Sequence, residues 1–237
     1  MRHAPVYPHD PVVPIADDVY MVRGAIKMNP LVRISRNMAI VRDGRELTVI
    51  NPLRLDHDGE RQLEALGTVR RVLRLGPFHG IDDPYYVDRF KAEFWCQRGG
   101  TTYPEPAIDV EITPGSELPF ANGKLFCFAN TQQPECIVLL ERGTSLLLTC
   151  DAIQHYGDYS HNNLAARLIM PFIGFPKTTL IGPLWLQAMT IEGDSLKNEF
   201  DRLLEWQFDA LLSAHGTLLE HGAHAAVRAA CKRAFPD

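Results

Sequence analysis

Short apolar runs separated by polar or glycine-containing turns recur along the chain and predict β-strands. They lie at residues 19–22, 38–41, 47–50, 69–75, 110–112, 124–128, 136–141, 145–150 and 211–213. Each run is too short for a stable helix, and several are rich in valine and isoleucine. Asp43-Gly44 and Arg142-Gly143 predict hairpin turns between neighbouring strands. Hairpins are therefore expected in both halves of the chain.

Helical spacing or helix-boundary residues mark the segments between these runs. Asp83-Pro84 predicts a helix start with Asp83 as the N-cap, because proline is favoured at the first helical position. Predicted helices lie at residues 58–66, 83–90, 163–173, 195–208 and 217–235. A four-layer αββα sandwich of two mixed sheets is the simplest architecture that buries all these elements. Prolines in residues 1–17 predict an extended arm before one domain at 18–237.

Two of the predicted strands end abruptly in potential metal ligands. Residues 147–149 lead to Asp151, and residues 211–213 lead to His215. Open α/β sheets present their chemistry at the carboxyl ends of such strands. His79 follows a third run, at 69–75. The three side chains are therefore expected to converge on one pocket.

Composition limits the partners and the compartment. The 237 residues are 46% apolar with a net charge of −5 and no basic block, so nucleic acid is not expected as a partner. No stretch reaches the roughly 18 apolar residues of a membrane span, and no membrane partner is expected. Five cysteines without CxxC spacing fit reduced thiols in the cytoplasm. The apolar segment 164–189 predicts a lid, a homodimer surface or ordinary core packing.

The order of these elements resembles the metallo-β-lactamase fold family. The resemblance rests on the hairpins at residues 18–22 and 36–50, on Asn51-Pro52 before the first helix, and on residues 66–69 before the next strand. It extends from about residue 16 to residue 230 and implies the αββα sandwich. It also implies that metal ligands are contributed by several strand ends.

The ligand positions implied by the resemblance are only partly retained. Active members carry His-x-His-x-Asp-His, whereas this chain has Pro77-Phe78-His79-Gly80-Ile81-Asp82, so His79 remains and Asp82 is a substitute. Ser116 replaces the histidine of a Thr-Pro-Gly-His turn. Asp151 matches the bridging aspartate and His215 the final histidine. The resemblance thus implies at most one divalent ion, zinc or else iron or manganese, held by His79, Asp82, Asp151 and His215.

Two functions remain open at this point. The first is a mononuclear metal-dependent hydrolase of a small ester, thioester, lactone or amide. Its catalytic candidates are Asp82, His155 and Tyr156. Asp82 comes from the segment that matches His-x-His-x-Asp-His, and His155 and Tyr156 come from the loop after the bridging aspartate, which in this family lines the substrate pocket. The second is a non-catalytic pseudo-enzyme, a binding or scaffold protein without metal, in which Asp151 and His215 are paired with other protein groups.

Overall fold

A seven-stranded mixed sheet forms one half of the computed structural model, which describes residues 3–236. Strands β1 to β4 are antiparallel, and β4 to β7 are parallel. In spatial order, which is also chain order, they are β1 (Val13–Ala16), β2 (Val19–Lys27), β3 (Arg33–Asp43), β4 (Glu46–Ile50), β5 (Thr68–Leu73), β6 (Glu93–Cys96) and β7 (Val110–Glu111).

A four-stranded mixed sheet forms the other half. Its strands are β8 (Gly123–Cys127), β9 (Cys136–Arg142), β10 (Thr144–Thr149) and β13 (Ala210–Ser213), in the spatial order β13-β10-β9-β8. Strands β10 and β13 are parallel, and the other pairs are antiparallel. A separate two-stranded ladder joins β11 (Ile153–His155) and β12 (Thr179–Ile181). The strand runs and both hairpin turns expected from the sequence are confirmed.

Six helices are present within residues 3–236. They are α1 (His57–Leu66), α2 (Asp83–Phe90), α3 (Leu164–Ile169), α4 (Pro183–Met189), α5 (Lys197–Leu203) and α6 (Ala223–Ala234). A 3-10 turn, Met170–Ile173, continues α3. No helix in this part of the chain is long and apolar enough to cross a bilayer.

Three apolar cores separate four layers of structure. The two sheets face each other across the first core, α1 and α2 pack on the larger sheet, and α4, α5 and α6 pack on the smaller sheet. Strand β3 shows how the sequence directs this arrangement, because successive side chains of a strand point to opposite faces. Met38 and Ile40 contact the helix layer, whereas Ala39 and Val41 contact the second sheet. The αββα sandwich predicted from the sequence is confirmed.

The closing helix is shorter than its sequence pattern predicts. It begins at Ala223 rather than at residue 217. Leu219 instead pairs with Leu211 of β13, and Gly222, which precedes the helix, has the left-handed φ of +73°. The pairing with β13 competes with helix formation and prevails there. The predicted helix at 195–208 likewise contracts to α5.

Two other helix boundaries differ from the prediction. The predicted helix at 163–173 is α-helical only to Ile169, because Pro171 has no N–H to continue the helical hydrogen bonds. The N-cap of α2 is Asp82, and the carboxylate of Asp83 instead lies 2.5 Å from Nε of Arg74. Residues 13–16 of the predicted N-terminal arm form β1, and residues 1 and 2 lie outside the described part.

Candidate metal centre

The parallel pairing of β10 and β13 brings two of the candidate ligands together. Thr149 is aligned with Ser213, and each strand continues by two residues to Asp151 and His215 respectively. The two side chains therefore emerge at the same edge of the smaller sheet. His79 approaches them from the loop that follows β5.

The three side chains form a closely packed, buried cluster. Nε2 of His79 lies 3.2 Å from Oδ2 of Asp151, and Nε2 of His215 lies 3.3 Å from Oδ1. The two Nε2 atoms are 3.0 Å apart. Ligand atoms at about 2.0–2.1 Å from a tetrahedral zinc ion are themselves about 3.3 Å apart. Each Nε2 atom and its nearer carboxylate oxygen, and the two Nε2 atoms themselves, are therefore spaced like ligands around one ion.

Main-chain contacts from β3 orient the imidazole of His215. Nδ1 of His215 lies 2.6 Å from the carbonyl oxygen of Ser35, so Nδ1 carries the proton. Nε2 therefore directs its lone pair at the cluster, which is the arrangement that a metal-binding histidine needs. The residue after His215 is Gly216, whose conformation and surroundings require glycine. Its φ is +81°, and a Cβ there would lie 1.9 Å from the carbonyl oxygen of His155.

The protein groups around the cluster do not satisfy all of its polar atoms. Burial lowers the pKa of His79 to about 4, so its ring is neutral at pH 7 and carries one proton. The Nδ1–H of His215 is directed to the carbonyl oxygen of Ser35 and away from the cluster. Nδ1 of His79 has no partner within residues 3–236. Two imidazole nitrogens and a carboxylate that face one another are groups that a divalent cation binds, so the donor set fits such an ion.

Asp151 is held as a carboxylate although it is buried. Burial by itself would raise its pKa, but His79 and His215 together hold the pKa well below the usual range. Gln154 also donates from Nε2 to the main-chain oxygen of Asp151 at 3.1 Å. Tyr156 reaches this network only indirectly, because its hydroxyl donates to Oε1 of Gln154 at 2.8 Å.

Glu135 is a buried carboxylate next to the turn that follows Asp151, and it was not predicted as a site residue. Its side chain is fully buried. One carboxylate oxygen accepts a hydrogen bond from the main-chain N–H of Ala152, and the other accepts one from Nε1 of Trp185, both at 2.8 Å. Burial and the nearby Asp151 raise the pKa of Glu135 well above its usual range. An acidic residue directly before the apolar strand β9 was the available signal. The contact between Ser35 and His215 could not be predicted from residue types, because Ser35 makes it through its main-chain oxygen.

Asp82 is not brought into the cluster of three ligands. Its carboxylate lies 3.1 Å from Nη1 of Arg36, and both side chains are buried. Arg36 also donates to the carbonyl oxygen of Pro52 at 2.8 Å. The neighbouring Asp83 pairs with Arg74 in the same interior region, and burial raises the pKa of Asp83 to about 6. We name residues 77–83 the ligand loop. Two arginines thus hold its two acidic residues away from His79.

Ser116 and His155, two further positions singled out in the sequence, make contacts with residues outside the cluster. Oγ of Ser116 accepts the main-chain N–H of Thr113 at 2.9 Å. Ser116 lines a surface cavity with Phe120 and Trp206, and the lining of that cavity contains none of the three cluster residues. His155 is half-buried, with Nδ1 2.8 Å from Oγ1 of Thr179, and burial lowers the pKa of this histidine.

Comparison by sequence finds no matching protein-family model and no matching curated protein. Comparison of folds finds many solved structures. The metallo-β-lactamase TMB-1 is 9% identical, with a TM-score of 0.68 over 98% of this chain and 99% of that chain. The metallo-β-lactamase FIM-1 from Pseudomonas aeruginosa, in its mono-zinc form, is 11% identical. Its TM-score is 0.62 over 95% of this chain and 96% of that chain. An archaeal metallo-β-lactamase superfamily protein from Sulfolobus tokodaii is 11% identical. Its TM-score is 0.58 over 85% of this chain and 81% of that chain. The fold of this chain is therefore the metallo-β-lactamase fold, as the sequence resemblance implied.

Proposed function

We propose that the protein is a mononuclear metal-dependent hydrolase of a small ester, thioester, lactone or amide. The observation that carries this proposal is the cluster of His79, Asp151 and His215. Its two Nε2 atoms are 3.0 Å apart, and each lies 3.2 or 3.3 Å from one carboxylate oxygen of Asp151. The relative FIM-1 is described in a mono-zinc form, which supports one ion per chain. Zinc is the proposed metal because two imidazoles and a carboxylate with an open position suit it, with iron or manganese as alternatives.

The residues of the cluster have distinct roles in this proposal. His79 and His215 would hold the ion through Nε2, and the Ser35 carbonyl keeps the His215 ring in the required tautomer. Asp151 contributes negative charge between them. A divalent ion held there would supply Lewis acidity, lowering the pKa of water to about 7 and polarising a carbonyl group. Glu135 fixes the turn after Asp151 and acts as a positioning residue.

His155 is the proposed general base among the three catalytic candidates. Its ring is half-buried, and its lowered pKa keeps it neutral at pH 7, as a proton acceptor requires. Oγ1 of Thr179 orients the ring through Nδ1 and leaves Nε2 available. Tyr156 and Asp82 are less suited to proton transfer, because Gln154 and Arg36 respectively occupy their polar atoms.

A pseudo-enzyme is the second candidate, and one observation favours it. The positions that would complete a two-metal centre are diverted into internal contacts: Asp82 to Arg36, and Ser116 to the Thr113 turn. A catalytic site of this kind normally keeps three ligands and an open position. The three remaining ligands satisfy that minimum, and for this reason we favour the hydrolase.

Elemental analysis separates the two proposals. Protein purified without added metal is expected to contain close to one equivalent of zinc, iron or manganese and to hydrolyse a panel of chromogenic esters, thioesters, lactones and anilides. Asp151→Ala should lose both properties, and His155→Gln should keep the metal but lose most of the hydrolysis. Native protein that takes up no metal and hydrolyses no member of the panel would establish the pseudo-enzyme.

We also propose that the protein functions in a reducing compartment such as the cytoplasm. The support is that all five cysteines are free and buried. Expression with a fluorescent tag tests this proposal. Signal confined to an oxidising compartment would contradict it.

A further inference from the structure

Large apolar side chains are exposed together on one part of the surface. We name this surface the apolar patch. Phe172 is 90% exposed and Leu31 is 76% exposed. The other members of the patch are Met28, Leu164, Leu168 and Ile173. Monomeric soluble proteins rarely expose contiguous apolar surface of this kind unless something binds there.

The amphipathic pattern of α3 and its 3-10 continuation is inverted. Ala166 and Met170 are the buried positions. Leu164 and Leu168 of α3 and Phe172 of the 3-10 turn are exposed instead. A surface helix usually directs its large apolar residues at the core. The core therefore does not explain why these positions are apolar.

The tip of the β2–β3 hairpin adjoins this helix and extends the apolar patch. The side-chain amide of Asn163, the N-cap of α3, donates to the carbonyl oxygen of Leu31 at 2.8 Å. The main-chain N–H of Asn163 donates to the carbonyl oxygen of Arg33 at 3.0 Å. The exposed side chains of Met28 and Leu31 thus lie beside the exposed face of α3.

The two chain segments that form the apolar patch carry basic residues and no acidic ones. Residues 159–190 and residues 19–42 contain no aspartate or glutamate, and the cations there include Lys27, Arg33, Arg167 and Lys177. Lys27 and Arg33 are directly opposite each other across the β2–β3 ladder. Like charges in that position destabilise a hairpin unless an anion neutralises them. These four cations form no ion pair within residues 3–236, whereas Arg23 and Arg36 of the same ranges pair with Asp158 and Asp82.

We propose that the apolar patch binds the surface of an anionic phospholipid bilayer. Exposed leucine and phenylalanine side chains would enter the boundary between headgroups and acyl chains, while the lysines and arginines contact anionic headgroups. A symmetric homodimer through residues 164–189 fits less well, because an isologous interface brings like charges together. The absence of a spanning helix concerns crossing only. This proposal therefore replaces the expectation of no membrane partner, and it does not depend on the proposed hydrolase.

Vesicle flotation tests the proposal directly. The native protein should float with vesicles of phosphatidylcholine and phosphatidylglycerol (3:1) and much less with phosphatidylcholine alone. The double variant L168S/F172S should lose about tenfold or more of the bound fraction. K27E should lose at least about fivefold of the bound fraction, and it should fold normally because the glutamate is opposite Arg33. V13S, which changes an exposed apolar residue outside the apolar patch, is the matched control and should bind like the native protein.

Three results would overturn the proposal. Equal binding to neutral and anionic vesicles would remove the role of the cations. Unchanged binding of the soluble, folded L168S/F172S variant would remove the role of the apolar side chains. A native dimer in light scattering that L168S/F172S converts to a monomer, without vesicle binding by either protein, would assign the surface to a second copy of the chain.

Discussion

Removal of Asp151 tests the metal centre most directly. Its two carboxylate oxygens make two of the three contacts within the cluster, at 3.2 Å to His79 and 3.3 Å to His215. Asp151→Ala leaves two imidazole nitrogens as the remaining ligands. Loss of supporting contacts alone weakens metal sites about 10- to 100-fold. Loss of a direct ligand is therefore expected to weaken zinc binding by at least about 100-fold.

This loss converts into a measurable difference in thermal stability. Zinc at about 100 times the native Kd stabilises the folded state by about 2.7 kcal/mol. For a chain of this size, that free energy raises Tm by about 5–11 °C. At the same zinc concentration, a variant with a 100-fold weaker site gains only about 0.4 kcal/mol, or about 1 °C.

Scanning calorimetry with and without zinc, after removal of metal with a chelator, measures both shifts. Asp58→Ala is the matched control, because Asp58 is an exposed carboxylate paired with Arg61. It should keep the native shift. A full shift in Asp151→Ala would refute the assignment of this ligand. Titration calorimetry should give one equivalent of zinc. Two equivalents that are lost together in Asp151→Ala would show that the family's His-x-His-x-Asp-His segment has been matched to the wrong residues of this chain.

Three further predictions follow from buried charges near the cluster. Asp82→Ala should cost about 3–5 kcal/mol in urea unfolding, because Arg36 would be left buried and unpaired, while zinc affinity stays within about threefold of native. Glu135→Ala should lower the free energy of unfolding by about 2–6 kcal/mol, because the main-chain amide of Ala152 and the indole N–H of Trp185 lose their acceptors. Unchanged zinc affinity of this variant would contradict a positioning role for Glu135. The pKa of His79 is about 4 when folded, against the usual value of about 6.5. The metal-free protein should therefore lose up to about 3 kcal/mol of stability as the pH falls from 6.5 to 4, since the unfolded state binds the proton first, and His79→Gln should flatten this dependence.

Much of the fold was predictable because strand and turn signals are local. The alternation along β3 and the glycine turn at Asp43-Gly44 need only neighbouring residues to be recognised. Helix boundaries depended on distant partners. Leu219 pairs with Leu211 of β13 and displaces the start of α6, although its local sequence favours a helix. Sequence periodicity carries no information on such a competitor.

The candidate site divides in the same way. His79, Asp151 and His215 were predicted because each follows an apolar run, and parallel pairing brings strand ends to one edge. Asp82 was also predicted as a ligand, but the structure places it against Arg36, a residue 46 positions earlier. Its partner is chosen by the packing of β3 against the ligand loop, which no spacing rule records.

The sequence by itself therefore determined the layers, the strand ends and the residue types available for a metal. Only the tertiary structure decided which of those side chains meet. It also revealed the buried carboxylate of Glu135 behind Asp151 and the apolar side chains that α3 leaves exposed. The physical reason is that secondary structure follows local periodicity, whereas hydrogen-bond partners and burial depend on contacts between residues far apart in the chain.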